Sequence, residues 1–326
     1  MKKIILALMV VVVPLTLMSQ ENKKIFTSDI DNFWKAYDRI QTTNEYTEKI
    51  NIINELYIDK GTKGLKAFMK ARNYTDTLWV TLIEKLPKYW NSVRSNTLKI
   101  REKEQEMKLA IDRFKELYPE LKNAEMYFTI GGLRSGGTTK GNMVLIGAEI
   151  ATADASVDVS EFKNDWLPKV FAKQSNDNIV SLNIHEYVHT QQKNGSKNVL
   201  GACIKEGACD FISELTVEKT LNSQYLIYGR KHLKEVKENF RLDLFSSRYK
   251  NWLYNGGELG EKSDLGYFIG YEICHSYYKN AEDKSTAIKD IINLDYSNEE
   301  AVLTFLKNSK FYSVKELKDA VRNSNK

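Results

Sequence analysis

The chain has 326 residues, 42% hydrophobic and 28% charged, and carries a formal net charge of +5 at pH 7. Its charges are interspersed and form no basic cluster, which argues against nucleic acid or anionic lipid as the partner. Three cysteines are too few for a disulfide framework, so a core must hold the fold, and the length allows one elaborate domain or two lobes.

Met1-Lys2-Lys3 followed by an apolar run from Ile4 to Met18, interrupted at Pro14, reads as a secretory signal peptide over residues 1–19, cleaved just before Gln20. Fifteen such positions are short for a membrane span of about 20 residues, so no anchor is expected to remain after cleavage. With no cysteine before Cys203, attachment of lipid at an N-terminal cysteine is excluded. The mature chain is therefore expected to be exported, periplasmic or extracellular.

From residue 20 to 123 the pattern is helical. Ile30, Phe33, Trp34 and Tyr37 recur at three- and four-residue spacing, as do Ile50, Ile53, Leu56 and Tyr57. Further helices are expected over 65–72, 77–85, 89–93 and 100–118, the last stopped by Pro119. Trp34, Trp79 and Trp90 read as core of this N-terminal helical region.

The second region, 124–326, opens with a change of period. Met126 to Ile130 and Met143 to Ile146 are short strand-like runs around a glycine-rich loop. A phosphate loop would need a lysine where Thr138 stands and a helix where the second strand follows. The segment is read instead as a hairpin whose loop lies near a metal. A surface connection follows, with one short helix within 162–173.

Residues 179–193 are expected to form a helix carrying His185-Glu186-Tyr187-Val188-His189, and two of the chain's four histidines fall in this motif. Four residues apart, His185 and His189 share a helix face and can reach one metal ion. Glu186 sits about 100° round the helix, placed to take a proton from a water at the metal. Zinc needs a third protein ligand, and Glu206, seventeen positions beyond His189 (206 − 189), is the leading candidate, with Asp210 and Glu214 as alternatives. Asp210, four after Glu206, would then accept the outer N–H of a ligand histidine. Small Gly207 and Ala208 would let the two helices approach closely. Cys203 and Cys209 are six apart on this helix and point in different directions, so they are expected to be small buried thiols, with a bridge to Cys274 left open.

Downstream, 224–245 reads as one helix with His232 on its solvated face, and Asn255-Gly256-Gly257 as a turn. Asp264 can cap a helix that carries Tyr267, Tyr271 and His275 at four-residue intervals, a row able to supply a donor to an oxyanion. Within it Tyr267, beside Gly266, is the first choice. The tail over 287–322 has helical runs with a break at 310–313.

His185-Glu186-Tyr187-Val188-His189 followed by Glu206-Gly207-Ala208-Cys209-Asp210 resembles the glutamate-zincin metallopeptidases. More closely, the chain resembles a bacterial family of predicted zinc-dependent proteases, distantly similar to the gliding-motility lipoprotein B proteins of Bacteroidetes. The stretches Ile130 to Thr138 and Asp264 to Tyr271 fit as well, so the likeness spans most of the mature chain, with the metal motif its specific part. It implies an α+β, predominantly α, zincin-like fold, with a two-helix metal site beneath a small sheet. It also implies that an edge strand upstream of the metal helix pairs with substrate backbone, here Met143, Val144, Leu145, Ile146 and Gly147.

The expected function is a zinc-dependent peptidase acting on peptides or proteins, with Glu186 as general base. A non-catalytic envelope or gliding-machinery component that keeps the scaffold is the other reading.

Overall fold

The structure, a computed structural model, describes residues 24–193, 195–256 and 258–324; the expected signal peptide lies outside them. The described residues are mostly helical and carry one small sheet of four strands in the order β1-β2-β4-β3. β1 (Ile25–Phe26) and β4 (Met143–Gly147) both run parallel to β2 (Glu125–Thr129), while β3 (Gly137–Lys140) runs antiparallel to β4. Among the described residues no helix is long and apolar enough to cross a membrane.

Six helices lie between β1 and β2: α1 (Ser28–Ile40), α2 (Tyr46–Ile53), α3 (Lys63–Arg72), α4 (Asp76–Lys85), α5 (Pro87–Leu98) and α6 (Glu104–Leu117). Their apolar stripes converge, and Trp34, Trp79 and Trp90 are buried there. Each indole finds an acceptor, so its polar edge enters the core satisfied: Thr97 Oγ1 for Trp34, the Gly131 carbonyl for Trp79 and the Leu82 carbonyl for Trp90. The Trp79 bond also ties α4 to the loop that follows β2.

The expected hairpin needs correcting. The runs at 126–130 and 143–146 are neighbours, but they pair in parallel, Met126 against Val144 and Phe128 against Ile146. The hairpin is β3–β4, turned at Gly141, whose φ of +59° suits a residue without Cβ. Met143, Val144, Leu145, Ile146 and Gly147 lie in a strand with partners on both sides, so their backbone has no edge to offer a substrate. On that side of the sheet the edge strand is β3, and β1 is the edge on the other.

After α7 (Ala148–Ala151) and α8 (Trp166–Phe171), α9 (Ile179–His189) and α10 (Val199–Val217) form an antiparallel pair. The direction follows from their contacts: His189 meets Glu206, His185 meets Asp210, and Ser213 donates to the Ser181 carbonyl. Asn198 caps α10 by accepting from the Gly201 N–H. α11 (Gln224–Lys231) and α12 (Leu233–Asp243) break the single helix expected over 224–245 at His232, which is exposed and stacked on Tyr228.

α13 (Leu265–Asn280) lies against α10 almost backbone to backbone. A methyl at Gly207 would fall 2.0 Å from the Tyr271 nitrogen, and one at Gly270 1.7 Å from the Cys203 carbonyl oxygen. Gly207 thus opens the α10–α13 crossing, not the approach of the two metal-motif helices. Asp264 does not cap α13 either: its carboxylate accepts from the Asn255 N–H and holds the preceding loop. α14 (Lys284–Asn293), α15 (Glu299–Ser309) and α16 (Val314–Ser324) complete the chain, with breaks at 294–298 and 310–313. All three cysteines are buried and free.

Candidate metal centre

On α9 the four-residue spacing brings the His185 and His189 rings to 4.9 Å between centroids. The outer nitrogen of each is held by an acceptor. His185 Nδ1 donates to Asp210 Oδ1 at 2.7 Å, and His189 Nδ1 donates to Gln192 Oε1 at 2.8 Å. The Gln192 amide is oriented by its other end, which donates to the Lys205 carbonyl and to the Tyr296 hydroxyl. With both Nδ1 atoms engaged, both Nε2 atoms face inward. They meet Glu206 Oε2, 3.5 Å from His185 Nε2 and 3.2 Å from His189 Nε2.

Glu206 and Asp210 are themselves anchored. The Tyr254 hydroxyl donates to Glu206 Oε1 at 2.7 Å, and the Tyr225 hydroxyl donates to Asp210 Oδ2 at 2.8 Å. Each carboxylate therefore turns one oxygen toward the histidines. Burial works against charge here, but the pairing outweighs it. Desolvation pulls His185 down, yet Asp210 and then Glu206 hold its pKa well above the ordinary histidine value. Desolvation likewise raises Glu206, while His189 and His185 hold it well below the usual carboxylate range. Protons thus bind where a cation would, and a metal ion must displace them.

His185, His189 and Cys209 form a buried group able to hold a metal ion, their donor atoms lying within 4.8 Å of one another. Two donor sets therefore share the histidine pair, one completed by Cys209 and one by Glu206. The thiol sits on the outer side of His189, 3.3 Å from Nδ1 and 3.8 Å from Nε2. It donates to the Lys205 carbonyl, and burial, then the acids around it, push its pKa well above the ordinary thiol value. The thiol thus lies nearer the ring nitrogen that Gln192 engages than the inward one. Glu206 faces both inward nitrogens through a single oxygen.

Glu186 points from α9 toward the sheet, and a methyl at Gly137 on β3 would come 3.2 Å from its Oε1. The general-base candidate thus lies directly beneath the free edge of the sheet. Tyr267, at the start of α13, has its ring 6.1 Å from that of His185 and 5.3 Å from that of Tyr225. Burial, then the charge of Glu206, push its phenol well above the ordinary tyrosine range, so it is a hydrogen-bond donor.

The rest of the row runs away from the metal centre. Tyr271 donates to Glu214, eight residues along α10 from Glu206, or about 12 Å at the helical rise. His275 is exposed, with Phe211 and Tyr271 beside it and Glu272 at 3.9 Å. Three further residues join the centre: Gln192, Tyr225 and Tyr254. Gln192 stands one helical turn beyond His189, a position from which an amide can reach back to the ring. Tyr254 precedes the Asn255-Gly256 turn and has φ of +60°, rare for a side chain of that size. Nothing in the local sequence singles it out.

No family model, curated protein or solved structure matches this chain.

Proposed function

We propose that the chain is an exported zinc-dependent peptidase of the glutamate-zincin type, with His185, His189 and Glu206 as metal ligands. The observation that carries this reading is the convergence of two imidazole Nε2 atoms and one carboxylate oxygen, each with its far side held by Asp210, Gln192 or Tyr254. A nitrogen and oxygen donor set of this kind suits zinc, and three protein ligands leave a position for chemistry. When bound, zinc supplies a positive charge that polarises the scissile carbonyl and eases deprotonation of water.

The chain's own groups do the rest. An extended peptide adds to the free edge of β3, which brings its backbone over Glu186. Glu186 takes the proton of the attacking water and delivers it to the leaving amine. The Tyr267 phenol donates to the oxyanion that replaces the carbonyl, while Asp210 and Gln192 keep both imidazoles in the tautomer the site needs. Export is supported by the basic start and the apolar run ahead of Gln20.

Metal analysis of the purified chain, paired with a peptide-library digest by wild type and Glu186→Gln, tests this directly. Bound zinc in both proteins and cleavage in the wild type alone are expected. A protein that binds no zinc, or a variant that cleaves as well as wild type, defeats the proposal.

A further inference from the structure

An open cavity of about 570 Å³ is bounded by α4, the loop before β3 and the segment leading into α8. Leu86, Phe162 and Leu167 give it an apolar floor. Around the floor stand three cations, Lys85, Arg134 and Lys163, against one acid, Glu161. That acid is already engaged, since its Oε2 accepts from the backbone N–H groups of Lys88 and Tyr89 at 2.9 and 3.1 Å. Arg134 is held in place by the Arg72 and Asn73 carbonyls, which leave its positive charge unneutralised. Lys85 and Lys163 are exposed and make no ion pair among the described residues. An apolar floor with uncancelled positive charge above it calls for a ligand that is apolar and acidic together.

Both walls lead back to the metal centre. Arg134 precedes Gly137, the residue over Glu186, by three positions, at most about 10 Å of chain. On the opposite wall Trp166 touches the loop at Gly256, where a methyl would come 3.3 Å from the indole nitrogen. Two residues before Gly256, Tyr254 donates to Glu206. Short chain segments thus tie both Arg134 and Trp166 of the cavity to residues around the candidate metal centre.

We propose that this cavity is a specificity pocket for peptides carrying a large apolar residue next to an acidic one, on the C-terminal side of the cleaved bond. The proposal rests on the peptidase reading. A peptide that adds antiparallel to β3 runs its C-terminal half toward residue 134, and about three residues of extended chain cover the distance. The apolar side chain fills the floor, and the neighbouring carboxylate is drawn to Lys85 and Lys163. Exposed charge pairs are individually weak, so the three cations together set a preference of about 10-fold, not an absolute requirement.

The test uses a short alanine-based peptide with one Phe-Glu pair and its Phe-Lys twin. Binding to the zinc-loaded Glu186→Gln protein is read by Trp166 fluorescence, with Trp166→Phe to identify the pocket's share of the signal. The Phe-Glu peptide is expected to bind about 10-fold more tightly, and the preference to vanish or invert in Lys85→Glu/Lys163→Glu. Equal affinities for the two peptides, or a preference unchanged by the charge reversal, overturn the proposal. Cleavage by the zinc-loaded wild type is scored separately. Selective binding without cleavage leaves the pocket standing and defeats the peptidase reading, whereas cleavage of both peptides at equal kcat/KM defeats the pocket alone.

Discussion

Replacing Glu149 by glutamine removes a carboxylate that is fully buried at the start of α7. Its two oxygens accept from the Gly131 and Leu133 N–H groups at 2.7 and 3.2 Å, clamping the loop that leads into β3, and no cation pairs with it among the described residues. Burial raises its pKa from 4.5 to about 7, even though the backbone donors pull the other way. The folded protein therefore binds this proton more tightly than the unfolded chain does. Its stabilising contribution is complete below pH 4.5 and is lost as the pH rises through about 7. At about 1.4 kcal/mol for each pH step, the interval from 4.5 to about 7 corresponds to about 3 kcal/mol. Urea unfolding of wild type and Glu149→Gln across that interval reads the effect as a difference in slope. Wild-type stability should fall by about 3 kcal/mol relative to the variant between the acidic and the mildly alkaline end. A constant offset of about 1–3 kcal/mol is also expected, because an amide NH₂ cannot accept from the Leu133 N–H. That offset does not depend on pH, so the slope is the test. Parallel stability curves for the two proteins would refute the assignment of a raised pKa to Glu149.

Two further outcomes concern the metal centre. Asp210→Asn weakens the grip on the outer nitrogen of His185, and zinc affinity measured against a competing chelator should drop about 10- to 100-fold; an unchanged affinity would reduce Asp210 to a partner of Tyr225. Tyr267→Phe should lower kcat about 10²- to 10³-fold with KM and zinc content little changed, and Tyr271→Phe should keep full turnover because its hydroxyl serves Glu214. Should Tyr254→Phe take that loss in place of Tyr267→Phe, the oxyanion donor is the phenol that now sits on Glu206.

What the sequence disclosed about this chain follows from the range over which each signal acts. His185 with His189, and Glu206 with Asp210, are four apart, so helical geometry alone puts each pair on one face. The row of Tyr267, Tyr271 and His275 is legible for the same reason, yet periodicity says nothing about where along the row a partner helix places its site. Each member is about 6 Å further on, so one residue of the three reaches the centre. The sheet fails differently. β2 and β4 are apolar enough to be recognised as strands, but Gly137-Thr-Thr-Lys140 has no alternation to mark it as one. Without that strand, a parallel pair reads as a hairpin and an interior strand as an edge. An edge strand is where such a signal is weakest, because only one neighbour constrains its side chains, and it is also where an extended ligand can add.

Tyr254 and Gln192 were hidden for a third reason: each acts through a contact that no spacing rule predicts. Tyr254 reaches Glu206 across forty-eight residues of chain, from a backbone conformation that most side chains avoid. A left-handed tyrosine costs of order 1 kcal/mol, so it persists only where its surroundings over-determine it. Here they do. Asn255 accepts from the Asp264 N–H through its side chain and donates its own N–H to the Asp264 carboxylate, closing the loop immediately behind Tyr254. The left-handed turn that feeds α13 therefore also aims the phenol at Glu206, and Glu206 in turn keeps its other oxygen on the histidines. The candidate metal centre thus draws on four separate pieces of chain: α9 with the turn that carries Gln192, α10, Tyr225 at the start of α11, and the Tyr254 loop. Local pattern identifies the two helices, while the loop's part arises only from tertiary closure.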